Sequence, residues 1–222
     1  MKKILRSYLK KILRSYQGDE NYVDDEPTVP EQSCKSASPI TDFEIENGVL
    51  KKYLGKSETV VIPKGVVTSI GNEAFIWCRF IKSIYIPNGI TNIRHKAFEW
   101  CDSLESIYIP ESVTSIGIEA FYNCGALASI EIPNNVTSIG DKAFRGCESL
   151  TSIEIPNNVT SIGDSAFWGC KSLTSIVIPD GVISIGDEAF FGCDSLESIE
   201  VPKSVTHIGR NAFPVDAKII RV

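Results

Sequence analysis

One dipeptide sets the frame of this chain. Ile-Pro or Val-Pro recurs at Ile62, Ile86, Ile109, Ile132, Ile155, Ile178 and Val201, with a spacing of 24 residues once and 23 thereafter. Ala-Phe keeps the same step, beginning at Ala74, Ala97, Ala120, Ala143, Ala166, Ala189 and Ala212. Cysteine follows at positions 78, 101, 124, 147, 170 and 193, and EIPNNVTSIGD stands identically at 131–141 and 154–164. Self-similarity at a fixed short period is the mark of a solenoid, in which no unit buries its apolar face alone and stacked neighbours make one core. Seven repeats are read, the last truncated after Phe213.

A single unit, Leu150 to Cys170, shows how each layer is built. Leu150, Ile153 and Ile155 have leucine-rich-repeat spacing. Strand side chains alternate, so Ile153 and Ile155 face inward while Ser152 and Glu154 face out. Pro156 ends the strand because it has no N–H to donate. Val159 and Ile162 return to the core, Gly163 is expected to permit a turn, and Ala166 and Phe167 close the back wall. The expected architecture is a repeat solenoid with a parallel β-sheet on one face and short turns or helical segments on the back. The solenoid spans about 41–222. An N-terminal hairpin cap is expected at about 42–53, turning at Asn47-Gly48. At the other end Ile219, Ile220 and Val222 suit a final strand, with Lys218 and Arg221 blunting its edge.

The unit L-x-x-I-x-I-P-x-x-V-x-x-I-G-x-x-A-F-x-x-C-x-S resembles the BspA-like leucine-rich repeat of bacteria and some protists, over about residues 41–222. The resemblance implies a curved, right-handed solenoid, a role in protein–protein interaction or adhesion, frequent surface exposure, and no catalytic residues.

Composition narrows the function classes. The net charge of −6 argues against nucleic acid as a partner, since phosphate binding needs a basic field. No apolar run reaches the roughly 18 residues of a membrane span, and no signal peptide is recognised. On that reading the expected location is cytoplasmic, whereas the family resemblance implies the surface. No C-x₂-C pair suggests zinc, so neither a metal nor another cofactor is expected. The six array cysteines read as a reduced, buried ladder, and Cys34 as an ordinary thiol outside it. His95 and His207 fall five layers apart and read as surface substitutions. No catalytic constellation stands out from the repeat background.

Binding is the better-supported expectation, because solenoids present extended surfaces. The outward strand position reads Tyr85, Tyr108, Glu131, Glu154, Val177 and Glu200, with serine constant on the same side. Tyrosine supplies large contact area at low entropic cost. A second aromatic ridge follows Ala-Phe: Trp77, Trp100, Tyr122, Trp168 and Phe191. Shielding of the back wall is the plainer role for that ridge. The leading function is a non-enzymatic scaffold that binds an unknown protein partner through the sheet face. The alternative is a cell-surface adhesin exported by a non-standard route.

Residues 1–16 are separate in character. KKILRSY occurs at 2–8 and again at 10–16, carrying Lys2, Lys3, Arg6, Lys10, Lys11 and Arg14 and no acid. On a helical wheel Ile4, Leu5, Tyr8, Leu9, Ile12, Leu13 and Tyr16 share one half, giving a basic amphipathic helix. Such a helix suits an anionic membrane surface or self-association, and an inert extension is the third reading. Residues 17–40 hold six acids against Lys35 alone, with Pro27, Pro30 and Pro39, and read as an acidic flexible linker. Each cation near an anionic surface contributes roughly 1 kcal/mol. Full-length protein should therefore sediment with anionic vesicles, less at high salt, while a 41–222 fragment stays in solution. Oligomerisation abolished by the same truncation would assign the helix to self-association, and no change in either measurement would make the segment inert.

Overall fold

The computed structural model describes residues 38–222; the basic segment 1–16 and the acidic stretch up to residue 37 lie outside it. A 3-10 turn at Ile40–Asp42 leads into an antiparallel hairpin, β1 (Phe43–Glu46) and β2 (Val49–Tyr53). Asn47 and Gly48 take φ of 50° and 76°. Positive φ at both central residues is what a two-residue turn needs to match the twist of its strands.

Every following strand pairs in parallel with the copy one repeat away. The front strands are Thr59–Val61, Ser83–Tyr85, Ser106–Tyr108, Ser129–Glu131, Ser152–Glu154, Ser175–Val177, Ser198–Val201 and Lys218–Arg221. A second sheet, not anticipated from the sequence, stacks the Ser-Ile pairs of T-S-I-G. It runs from the hairpin through Ser69–Ile70, Asn92–Ile93, Ser115–Ile116, Ser138–Ile139, Ser161–Ile162 and Ser184–Ile185 to His207–Ile208. Two residues per layer are too few to show strand alternation in a sequence, which is why the pattern reads there only as a return to the core. The front sheet divides into a three-stranded part ending at Tyr108 and a five-stranded part starting at Ser129.

The back is turns, and the helical segments allowed for in the sequence reading do not form. A helix would need N–H groups to bond within their own segment, four residues back. Instead the phenylalanine N–H donates to the alanine carbonyl of the next repeat: Phe75 to Ala97, Phe98 to Ala120, Phe121 to Ala143, Phe144 to Ala166 and Phe167 to Ala189, each at 2.8 Å. The cysteine N–H closes a local turn onto its own phenylalanine carbonyl, as from Cys147 to Phe144 at 3.2 Å. Gly163 also differs from expectation. Its φ is not positive. A Cβ there would lie 2.6 Å from the Asp141 nitrogen and 2.7 Å from the Gly140 carbonyl carbon, so glycine permits close approach of two layers.

One core runs through all the layers. Ile153, Ile155, Val159, Ile162, Ala166, Phe167, Cys170 and Leu173 are all buried, and Glu154 is exposed. The phenylalanines stack from Phe75 to Phe190 with centroids 5.1–5.3 Å apart. Tyr53 of the hairpin takes the ladder position before Phe75, at 5.3 Å, and Phe213 ends the row, 6.0 Å from Phe190. At the far end Arg221 does more than blunt an edge: its guanidinium donates to the carbonyls of Pro202 and Val205. Replacing Phe144, which stacks on both sides, with Ala should cost about 3–5 kcal/mol in denaturant unfolding. Phe213→Ala, at the open end, should cost much less; equal losses would mean that the ladder does not carry the core.

Candidate functional site

The front strands hold the sheet-face row in register. Tyr85 pairs with Tyr108, Glu131 with Glu154, Glu154 with Val177, and Val177 with Glu200. The row is longer than the sequence reading made it, since Val61 precedes Tyr85 and Ile220 follows Glu200. Accessibility changes along it. Tyr85 is only 7% exposed and Tyr108 is half-buried, the two rings lying 5.1 Å apart and 6° from parallel. Burial, and then the neighbouring Tyr108 hydroxyl, push the Tyr85 phenol well above its ordinary range. Glu131, Glu154, Val177 and Glu200 are exposed, Val177 at 70%. The switch from tyrosine to glutamate coincides with the division of the front sheet.

The aromatic ridge occupies two adjacent rows. Trp77 and Trp100 sit two residues after the ladder phenylalanine, whereas Tyr122, Trp168 and Phe191 sit one residue after it. Trp77 and Trp100 stack at 5.0 Å and 5°, and Trp100 meets Tyr122 edge-on at 6.1 Å. Trp168 and Phe191 lie 6.4 Å apart. Two arginines complete these groups. The Arg79 guanidinium carbon is 4.6 Å from the Trp77 centroid and 5.6 Å from that of Trp100, and Arg145 is 4.1 Å from Trp168 and 6.0 Å from Tyr122. The sequence signal was available for Arg145, which stands one 23-residue repeat after Tyr122 and one before Trp168; Arg79 stands two residues after Trp77, one repeat before Asp102, and carries no such signal.

The remaining polar candidates are dispersed. His95 places Nδ1 2.9 Å from the Ile118 carbonyl oxygen, and His207 is exposed several layers on. Lys96 bridges Glu99 and Glu119 at 3.3 Å each, and Lys142 reaches Glu119 at 3.2 Å. The Glu119 carboxyl is lowered: burial raises it, and the two lysines together outweigh that. Among the described residues no group of three metal-ligating side chains converges, and no helix is long and apolar enough to cross a membrane.

The repeat itself decides the family. A model of the BspA type leucine-rich repeat region, with six copies, matches residues 44–174 and 114–220. The chain belongs to this family. Among solved structures, a leucine-rich repeat protein of T. pallidum is 29% identical, with a TM-score of 0.71, covering 78% of this chain and 86% of its own. A leucine-rich repeat protein of Eubacterium ventriosum ATCC 27560 is also 29% identical, with a TM-score of 0.68 over 75% of this chain and 45% of its own. No curated protein matches the sequence at a significant level.

The repeat cysteines of this BspA-type chain are buried, and those from Cys101 to Cys193 each donate to a phenylalanine carbonyl of the preceding layer, at 3.1–3.3 Å. Burial pushes Cys78 up to about 11 and Cys147 to about 12, with Cys101 and Cys124 also well above the ordinary thiol value. Cys170 is raised first by the neighbouring Cys193 thiol and then by burial. A reactive thiol needs the opposite shift. Unfolded thiols ionise at about pH 8.5, so above that pH the unfolded chain releases protons that the folded chain keeps. The stability tied to these thiols is complete below about pH 8.5 and is lost as pH rises through the folded values. Denaturant midpoints should fall from about pH 9 to 11, and the fall should shrink in a Cys124→Val, Cys147→Val variant. An unchanged fall in that variant would assign it to other groups.

Proposed function

We propose that the protein is a non-enzymatic interaction scaffold that binds a partner protein through its front sheet. The observation that carries this reading is the front-sheet row: Glu131, Glu154, Val177 and Glu200 are exposed and paired strand to strand, and the half-buried Tyr108 ends the neighbouring three-stranded part. Strand pairing fixes the four side chains from Glu131 to Glu200 about 4.8 Å apart. The partner therefore meets a prearranged surface and loses little free energy to ordering it. Tyr108 offers an aromatic anchor at one end, and the glutamates set a negative field over the other, which favours a partner segment rich in Lys and Arg. Proteins of this repeat type are commonly surface-associated, and display on the outside of a cell is the setting in which adhesion would use the same face.

Affinity capture with the full chain tests the proposal. Tyr108→Ala should weaken binding of the captured partner by about 2 kcal/mol if the ring is a hot spot. Reversing Glu131, Glu154 and Glu200 to Lys should abolish capture, and wild-type capture should weaken with salt. A partner retained equally by both variants would move the site off this face.

A further inference from the structure

The front row carries an order of residue types as well as a charge. Glu131, Glu154, Val177 and Glu200 stand in successive layers, so the surface reads acid, acid, apolar, acid. Val177 is 70% exposed, more than any other large apolar residue on the described strands. An apolar side chain held in water between carboxylates gains free energy only against an apolar partner. The other outward residue of each of these strands is serine, at Ser129, Ser152, Ser175 and Ser198. A side chain that short leaves the row standing clear of the sheet, so one partner backbone can follow it over all four layers. The complement of this surface is base, base, apolar, base, presented at the spacing of the layers.

That spacing decides which backbone can supply the order. Layers about 4.8 Å apart put the four side chains at roughly 0, 4.8, 9.6 and 14.4 Å along the solenoid. An extended strand presents every second residue on one side, about 6.7 Å apart, and by its fourth contact has run roughly 6 Å past the row. A polyproline helix presents every third residue, about 9.3 Å apart, and meets alternate layers only. An α-helix rises about 1.5 Å per residue, so residues i, i+3, i+7 and i+10 fall at roughly 0, 4.5, 10.5 and 15 Å. Each stays within about 1 Å of its layer, and at about 3.6 residues per turn the four share an arc of about 80° on one face.

We infer that the front sheet takes an amphipathic α-helix of its partner, laid along the solenoid with Lys or Arg at i, i+3 and i+10 and an apolar residue at i+7. A helix running the other way carries the reverse order, with the apolar residue at i+3. The inference rests on the sheet-face reading above and adds the conformation and residue order of the bound segment. Two alanine-rich helical peptides, one in each order with arginine and leucine at the named places, are the probes for the full chain. At least one should bind, by fluorescence anisotropy, about tenfold or more tightly than a peptide of the same composition whose arginines are spread around the helix. Glu154→Lys changes an exposed residue, so its circular dichroism spectrum should match wild type, and it should weaken that peptide about tenfold or more. Replacing the peptide arginine that faces this position with glutamate should restore binding to the variant. Equal binding of the spread peptide, a charge swap that restores nothing, or no binding of either helical peptide at millimolar concentration overturns the inference. So does tighter binding of an extended peptide of alternating arginine and threonine. None of these results removes the sheet-face reading, which falls when capture of the natural partner survives reversal of Glu131, Glu154 and Glu200 together.

Discussion

The backbone of each layer is satisfied by the layers beside it, and the fold depends on that more than on any one side chain. The strands within each part of the front sheet, the Ser-Ile pairs and the phenylalanine N–H groups bond to the equivalent segment one repeat away. A buried N–H or C=O left without a partner costs about 1–3 kcal/mol, so a layer that slips relative to its neighbour loses several bonds together. Side chains then follow the backbone. Because equivalent residues sit directly above one another, phenylalanine falls on phenylalanine and cysteine on cysteine, and any residue the outward position carries becomes a row. The binding surfaces are thus by-products of the same register that makes the core.

That register was legible because identical residues at a constant step leave little choice. The position of Ile153, Ile155, Phe167 and Cys170 in the core follows from their repetition, as does the outward direction of Glu154. What was not legible depends on distances between layers, which a repeat pattern does not carry. Gly163 looks like a turn residue in isolation, and its close approach to Asp141 and Gly140 exists only once the layers are stacked. The Ser161–Ile162 strand is too short to have a periodicity of its own. Tyr85 reads as outward from its strand position, yet only 7% of it is exposed, and that small area is a property of its surroundings.

The two aromatic surfaces illustrate different uses of repetition. On the front, Tyr85 and Tyr108 replace an outward residue at no conformational cost, since any side chain fits a strand. On the back, Trp77 and Trp100 stand at a left-handed position that Asn123 and then Gly146, Gly169 and Gly192 hold in later repeats, in layers where Glu73, Lys96 and Glu119 also take positive φ. The ridge is also not a single row, because its aromatics change position between Trp100 and Tyr122. Arg79 and Arg145 lie over the rings on either side of that change. A solenoid tolerates such local variation because each repeat contacts only its neighbours, so one part can be altered for binding while the remainder keeps the register.

The dependence on register is open to a direct measurement. Removing residues 139–161, one whole repeat, joins Ser138 to Ile162 and restores an uninterrupted array. Removing 140–161 takes out one residue fewer and places an extra isoleucine between the second sheet and the phenylalanine turn, where backbone bonds run to both neighbours. If interlayer register holds the fold, the first deletion should keep a β-rich circular dichroism spectrum and a cooperative unfolding transition at a modestly lower midpoint. The second should lose the cooperative transition. Two deletions that unfold alike, with similar midpoints, would contradict the account.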